Sequence, residues 1–263
     1  VILAQISDLH IGLPGVKLSG VVDTADYLRK AVRQIGRLAP TPDALLITGD
    51  LVDHGHAEEY RRLRELLSPL AMPVYVIPGN HDDRDALRRA FSDHGYLPHA
   101  GFLHYVIDTL PVIIIALDTV VPREAGGALD EARLLWLAAR LHETQGRPTV
   151  IMMHHPPFDT GIGFMDSCGL LVGAAEFARL MAGNANVERI LCGHVHRAIE
   201  ARIGTSIAMT CPSTCHQIPL DLTDNGPEAF TLEPPGFRLH RWDGARIVTH
   251  TAAIGDFPGP YPF

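Results

Sequence analysis

Five short polar clusters punctuate this chain, and each follows directly on a run of apolar, β-prone residues. They are Asp8-Leu9-His10, Gly49-Asp50, Gly79-Asn80-His81-Asp82, His154-His155 and Gly193-His194-Val195-His196. The strand-like runs Val1–Ser7, Ala44–Thr48, Val74–Ile77, Val112–Asp118, Thr149–Met153 and Arg189–Cys192 are short and continuously apolar, as strands covered on both faces are. Amphipathic helical patterns separate them: from Asp23 or Thr24 to about Leu38, Ala57–Leu67, Asp83–Phe91, a run capped by Asp130 with Leu134, Leu135, Leu137 and Leu141 at helical spacing, and Gly173–Met181. Alternation of this kind predicts an α/β core, whose ligand sites gather at the carboxyl ends of strands. All five clusters are placed there.

Further on, the reading changes. Ala198–Ile203 with Ser206–Thr210, and Phe237–Trp242 with Arg246–Ala252, flank Gly204-Thr205 and Asp243-Gly244 as two hairpins, predicting a second, more antiparallel sheet beside the first. Pro219–Pro235 and the tail Phe257–Phe263 read as irregular. With 263 residues the economical organisation is one domain, 1–263, with a loop-rich C-terminal region from about 211.

Composition narrows the function. No apolar stretch approaches the roughly 18 residues of a membrane span, and the first residues read as a strand rather than a signal sequence, so cytoplasmic residence and no membrane partner are expected. A net charge of −8 disfavours a nucleic-acid polymer as partner, while bound dications would still admit a small anion. The four cysteines, 168, 192, 211 and 215, lie in no zinc-ribbon spacing. Cys192 is expected to pack as a buried apolar residue, and pairing of Cys211 with Cys215 depends on a Cα distance that spacing does not supply.

Carboxylate, imidazole and one amide oxygen form a donor set suited to Mn, Fe, Co or Zn. Asp8 and His10, and again His194 and His196, have i,i+2 spacing; in extended backbone both members of a pair would project to one side. Gly49 lets the backbone approach closely at Asp50, whose two carboxylate oxygens could bridge two cations. Any one cluster alone is weak, but five in order at strand ends predict a metal site.

In order and wording the clusters resemble the calcineurin-like metallophosphoesterase superfamily, from Ile2 to about Thr210. The resemblance implies a four-layer αββα sandwich of two mixed β-sheets flanked by helices, with a centre of two divalent metal ions. On the family pattern Asp8, His10, Asp50 and His196 bind one ion, and Asp50, Asn80, His154 and His194 the other. Gly-Asn-His-Asp, and Asp53-His54-Gly55 where the protein phosphatases carry Asp-Arg-Gly, are similar to the bacterial phosphodiesterase branch. Ile77 to Asp83, Met153 to Pro157 and Thr214 to Pro219 resemble the glycerophosphodiesterases within it, and the class III cyclic-nucleotide phosphodiesterases stand beside them.

That resemblance implies hydrolysis of small phosphodiesters by in-line attack of a metal-bound hydroxide, with glycerophosphodiesters the first expectation and 3′,5′-cyclic nucleotides the alternative; a nuclease and a binding-only metal scaffold are less favoured. Asp50 and His81 are the catalytic candidates, and Asn80, His81 and His216 the substrate-binding ones. His81 could donate to a phosphoryl oxygen, protonate the leaving group or orient Asp8 or Asp50. His216 lines the pocket or is a histidine satisfied in its loop. Asp82 and His155 read as supporting groups rather than ligands. Pro14–Val22 and Asp159–Leu171, with Gly161-Ile162-Gly163 as a mobile element, are expected to set the choice of leaving group. A homo-oligomer, dimer or larger, is implied through Leu13–Tyr27, with Phe257–Phe263 a second surface.

Overall fold

The protein is seen in a computed structural model that describes residues 1–223 and 225–262. Its first half runs β1 (Ile2–Ile6), α1 (Thr24–Gly36), β2 (Ala44–Thr48), α2 (Ala57–Leu67), β3 (Val74–Ile77) and α3 (Arg84–Ala90). The second runs β4 (Tyr105–Ile107), β5 (Ile113–Leu117), β6 (Gly127–Ala128), α4 (Glu131–Glu143), β7 (Thr149–Met153), α5 (Gly163–Asp166), β8 (Leu170–Val172), α6 (Ala174–Gly183) and β9 (Val187–Cys192). Four strands follow as two hairpins: β10 (Glu200–Ile203) with β11 (Ser206–Thr210), and β12 (Gly236–Trp242) with β13 (Ile247–Ala253).

Two mixed sheets result, ordered β13-β12-β1-β2-β3 and β10-β11-β9-β7-β5-β4. Side-chain alternation builds the layers. Ala4, Ile6, Leu45, Ile47 and Val76 face α1, α2 and α3 through Leu28, Ile35, Tyr60, Leu63 and Leu87. Their neighbours Leu3, Ala44, Leu46 and Ile77 turn the other way, onto Ile114, Ala116, Val150, Met152 and Leu191 of the second sheet. The far face of that sheet, Ile115, Leu117, Ile151, Met153 and Ile190, packs on Leu137, Leu141, Phe177 and Met181 of α4 and α6. The central strands β2, β5 and β7 are almost wholly apolar because both of their faces are covered. The four layers implied by the family resemblance are therefore present.

The helices begin where capping chemistry places them, Asp23, Asp83 and Asp130 each accepting a backbone N–H of the first turn. Leu135 departs from the expected apolar face of α4 and is exposed. The two late hairpins do not form a sheet of their own. Strand β12 pairs antiparallel with β1, and β11 pairs parallel with β9, so each hairpin satisfies an edge that its sheet would otherwise leave open. Strands β4, β6 and β8 and the short α5 carry too few residues for a periodic signal. All four cysteines are free, with Cys192 buried as expected. Within the irregular segments, Asp224 and the final Phe263 lie outside the described residues.

Gln5 carries a polar link across the apolar layer between the sheets. The fully buried Gln5 amide donates to Thr48 Oγ1 on β2 and to the Cys192 carbonyl on β9, both at 3.0 Å, while its oxygen meets His240 Nε2 of β12 at 3.0 Å. With every hydrogen bond satisfied, the side chain ties the two sheets together two or three residues below the polar clusters.

Candidate metal centre

The loops after β1 and β2 are laced together: Asp8 N–H bonds to the Gly49 carbonyl, and the N–H groups of Leu9 and His10 both bond to that of Asp50. This geometry replaces the extended alternation expected for Asp8 and His10. Strand β1 stops at Ile6, and Asp8, His10, Asp50, His194 and His196 all have positive φ, between 44° and 71°. Each such non-glycine conformation costs about 1–3 kcal/mol, and such strain collects where side chains are aimed for function. Tight turns, not strand pleats, point these groups inward. Glycines make the turns possible; at Gly49, with φ 95°, a Cβ would strike the His154 imidazole, and at Gly79 the Asp50 carboxylate.

Donor atoms of Asp8, His10, Asp50 and His196 all lie within 4.8 Å of one another. His10 Nε2 is 3.3 Å from His196 Nε2 and 3.7 Å from Asp50 Oδ2, and His196 Nε2 is 3.4 Å from Asp8 Oδ1. A second set stands beside it: Asn80 Oδ1 is 3.1 Å from His154 Nε2 and 3.2 Å from His194 Nδ1, and His154 Nε2 is 3.4 Å from Asp50 Oδ2. Ligands about 2.1 Å from a common ion stand roughly 3.0–3.5 Å apart, so both sets fit divalent cations. The shared member is a single atom, since Asp50 Oδ2 faces both sets while Oδ1 accepts the His81 N–H at 2.9 Å. This differs from the expected use of both oxygens.

The outer nitrogens of two of the histidines are tied back. His154 Nδ1 is 2.8 Å from the Thr48 carbonyl and His196 Nδ1 3.2 Å from that of His216, whereas His10 Nδ1, 3.4 Å from Asp53 Oδ1, makes no hydrogen bond among the described residues. The two carbonyl contacts fix the tautomer that leaves Nε2 of His154 and His196 to face inward. Buried His194 Nε2 has no hydrogen-bond partner among the described residues. Burial pushes His194 down to about 3 and His196 far below the usual range, which keeps both imidazoles neutral. Burial would also raise Asp50, but His154, His81 and His10 pull it well below the usual carboxylate range. His154 shows the reverse balance, held at about 9 by Asp50 against its own burial, and burial lifts Asp8 to about 6.

The side chains singled out in the sequence therefore converge. His81 is exposed at the rim, its ring 4.6 Å edge-on to His10 and its Nδ1 2.9 Å from the Asp53 carbonyl. His216 packs 4.5 Å from His196 and 5.3 Å from His10. Asp82 is spent on the backbone N–H groups of Leu51 and Gly79 and on Tyr60 Oη. His155 is engaged at both nitrogens, by Thr119 Oγ1 and the Ala125 carbonyl. The Gly161 segment is anchored rather than free: Ile162 and Met165 pack on Val195 and Ile218, and Asp166 accepts the N–H groups of Thr160 and Gly161. Asp53, which touches the surroundings of both His10 and His81, is the residue that the clusters did not reveal; its signal was a second acid three residues after Asp50. Gln5 gave no signal of its own.

A fold of two helix-flanked sheets with this donor set defines a metallophosphoesterase, and the chain belongs to the calcineurin-like phosphoesterase family, whose pattern it matches over residues 2–198. Among relatives, it is 38% identical to the probable glycerophosphodiester phosphodiesterase GpdQ of Arcobacter nitrofigilis, over all of this chain and 96% of that protein. It is 32% identical to the 3′,5′-cyclic adenosine monophosphate phosphodiesterase CpdA of Pseudomonas aeruginosa, over 97% and 91%. A dimetal phosphatase from Danio rerio shares the fold at 14% identity, with a TM-score of 0.68 over 96% of this chain and 98% of the other.

Proposed function

We infer that the protein is a phosphodiesterase for small diesters, with glycerophosphodiesters its first substrate class and 3′,5′-cyclic nucleotides the second. The observation that carries this reading is the single Asp50 oxygen shared by two donor sets. Asp8, His10, Asp50 and His196 would hold one divalent ion, and Asp50, Asn80, His154 and His194 the other, as Fe, Mn, Zn or Co. Bound there, the ions supply positive charge that acidifies water and neutralises the phosphoryl group. His81 holds a proton on Nδ1 for the Asp53 carbonyl, so Nε2 meets the substrate; it donates to the phosphoryl or leaving oxygen when the ring is an imidazolium. His216 and Asn80 complete the substrate wall.

The preference for glycerophosphodiesters rests on relatives of nearly full length that bear that name, at 38% and 32% identity. The net charge of −8 supports the exclusion of nucleic-acid polymers. No helix among the described residues is long and apolar enough to cross a membrane. Cytoplasmic residence is in keeping with four free thiols. A homo-oligomer would use exposed Val16 and Val21 in the loop after the first cluster, with Phe257 and Tyr261 of the tail as the second surface.

The test is a steady-state comparison of glycerophosphocholine, glycerophosphoethanolamine and 3′,5′-cAMP on purified, metal-analysed protein, with Asp50→Asn as reference. About two ions per chain and the highest kcat/KM on the glycerophosphodiesters are expected. Turnover no greater than that of Asp50→Asn would overturn the enzymatic reading.

A further inference from the structure

A cavity of about 600 Å³ opens beside the donor cluster, sharing Asn80 and His81 with it. Two arginines of α3 hold its walls in place. Arg88 reaches the Pro98 and Gly101 carbonyls at 2.8 and 2.7 Å, and Arg84 grips the buried Asp118 carboxylate through Nε and one terminal nitrogen at 2.6 and 2.8 Å. The cavity is therefore preformed, which lowers the ordering cost of filling it.

The charged groups on its wall are nearly all occupied. Asp82 serves Gly79, Leu51 and Tyr60, Asp83 caps α3 on the Ala86 N–H, and Asp85 pairs with Arg88. Arg123 has no hydrogen-bond or ion-pair partner among the described residues. It is solvent-exposed and has a φ of 69°, one of two positive-φ non-glycine residues outside the donor cluster among the described residues, the other being Ser19. A non-glycine residue kept in that conformation, with an unspent guanidinium on the wall of a cavity that abuts the reactive residues, indicates a binding role.

We propose that this cavity receives one alcohol group of the diester and that Arg123 selects alcohols bearing a second anion, a carboxylate or a phosphate. The inference rests on the phosphodiesterase reading, because a phosphorus atom at the metal cluster is what places an ester substituent next to Asn80 and His81. A planar guanidinium pairs bidentately with either anion.

Glycerophosphoserine and glycerophosphoethanolamine differ only by a carboxylate, and glycerophosphoglycerol phosphate offers the phosphate instead. For wild-type protein, kcat/KM on the serine or the phosphate diester should exceed that on the ethanolamine diester about tenfold. Arg123→Gln should remove that preference while leaving bis(p-nitrophenyl) phosphate turnover within twofold, and Arg123→Lys should restore part of it; which anionic diester is favoured identifies the anion. Equal kcat/KM across the three diesters, or a preference that survives Arg123→Gln, overturns the proposal. Should wild-type protein hydrolyse none of them, the phosphodiesterase reading fails separately. Titration calorimetry on metal-loaded protein then decides the cavity: tenfold tighter binding of an anionic diester, lost in Arg123→Gln, sustains it, and equal affinities overturn it.

Discussion

Replacing Gly49 with alanine adds one methyl group at the most crowded point of the centre. Two costs arise. A φ of 95° is unfavourable for any residue with a Cβ, by about 1–2 kcal/mol. The new carbon would also overlap the His154 ring and come within 2.9 Å of Gly79 N. His154 has nowhere to retreat, being wholly buried and held at 2.8 Å by the Thr48 carbonyl, so a further cost of about 1–3 kcal/mol is expected from forced shifts. The sum, about 2–5 kcal/mol, corresponds to a fall in Tm of roughly 5–15 °C for a chain of this size. Gly95→Ala separates the two costs, since φ there is 73° and a Cβ would meet nothing within 4 Å. That variant should lose only about 2–6 °C. Scanning calorimetry and metal analysis on the pair provide the assay. Gly49→Ala should fall from about two ions per chain toward one, because His154 belongs to one donor set only, whereas Gly95→Ala keeps both. Equal Tm shifts in the two variants, or full metal occupancy in Gly49→Ala, would refute the reasoning.

Other consequences can be checked in the same preparations. His81→Ala should lower kcat about 10²–10⁴-fold with metal content unchanged, because only the backbone N–H of His81 touches Asp50; loss of metal would remove His81 from substrate chemistry. His240 is fully buried, and burial together with Arg238 and Arg189 pushes it down to about 3. The unfolded chain takes up that proton near 6.5 and the fold only near 3, so the stability His240 contributes is complete above pH 6.5 and is lost as pH falls toward 3. His240→Gln should flatten the acid limb of the urea midpoint against pH; an unchanged slope would contradict the neutral, buried assignment.

Much of this arrangement was legible because strand ends in an α/β fold are where polar residues interrupt apolar runs. Asp50 after Leu45–Thr48 and His154 after Thr149–Met153 announce both their strands and their position on them. The backbone that aims them was not legible. The positive φ of Asp8 and His194 depends on hydrogen bonds between loops far apart in sequence, such as the His194 N–H to the Asp8 carboxylate, and no local pattern records those. Sheet membership of the hairpins failed for a similar reason, since turn chemistry fixes the pairing within a hairpin and says nothing of the edge it joins. Asp53 and Gln5 act through other side chains, and a lone acid or amide in a strand or turn resembles any other.

Strand β1, which leads into the turn bearing the first two donors, lies between β2 and β12. During synthesis it therefore presents an open edge until residues 236–242 have left the ribosome, some 40 residues after the last donor, His196. Until then the turn that bears Asp8 and His10 follows a strand with one unpaired edge, and Gln5 still lacks His240. In the order of the chain, every donor thus emerges before β12, the antiparallel partner of β1, and the hydrogen-bonded support beneath Asp8 is completed only afterwards.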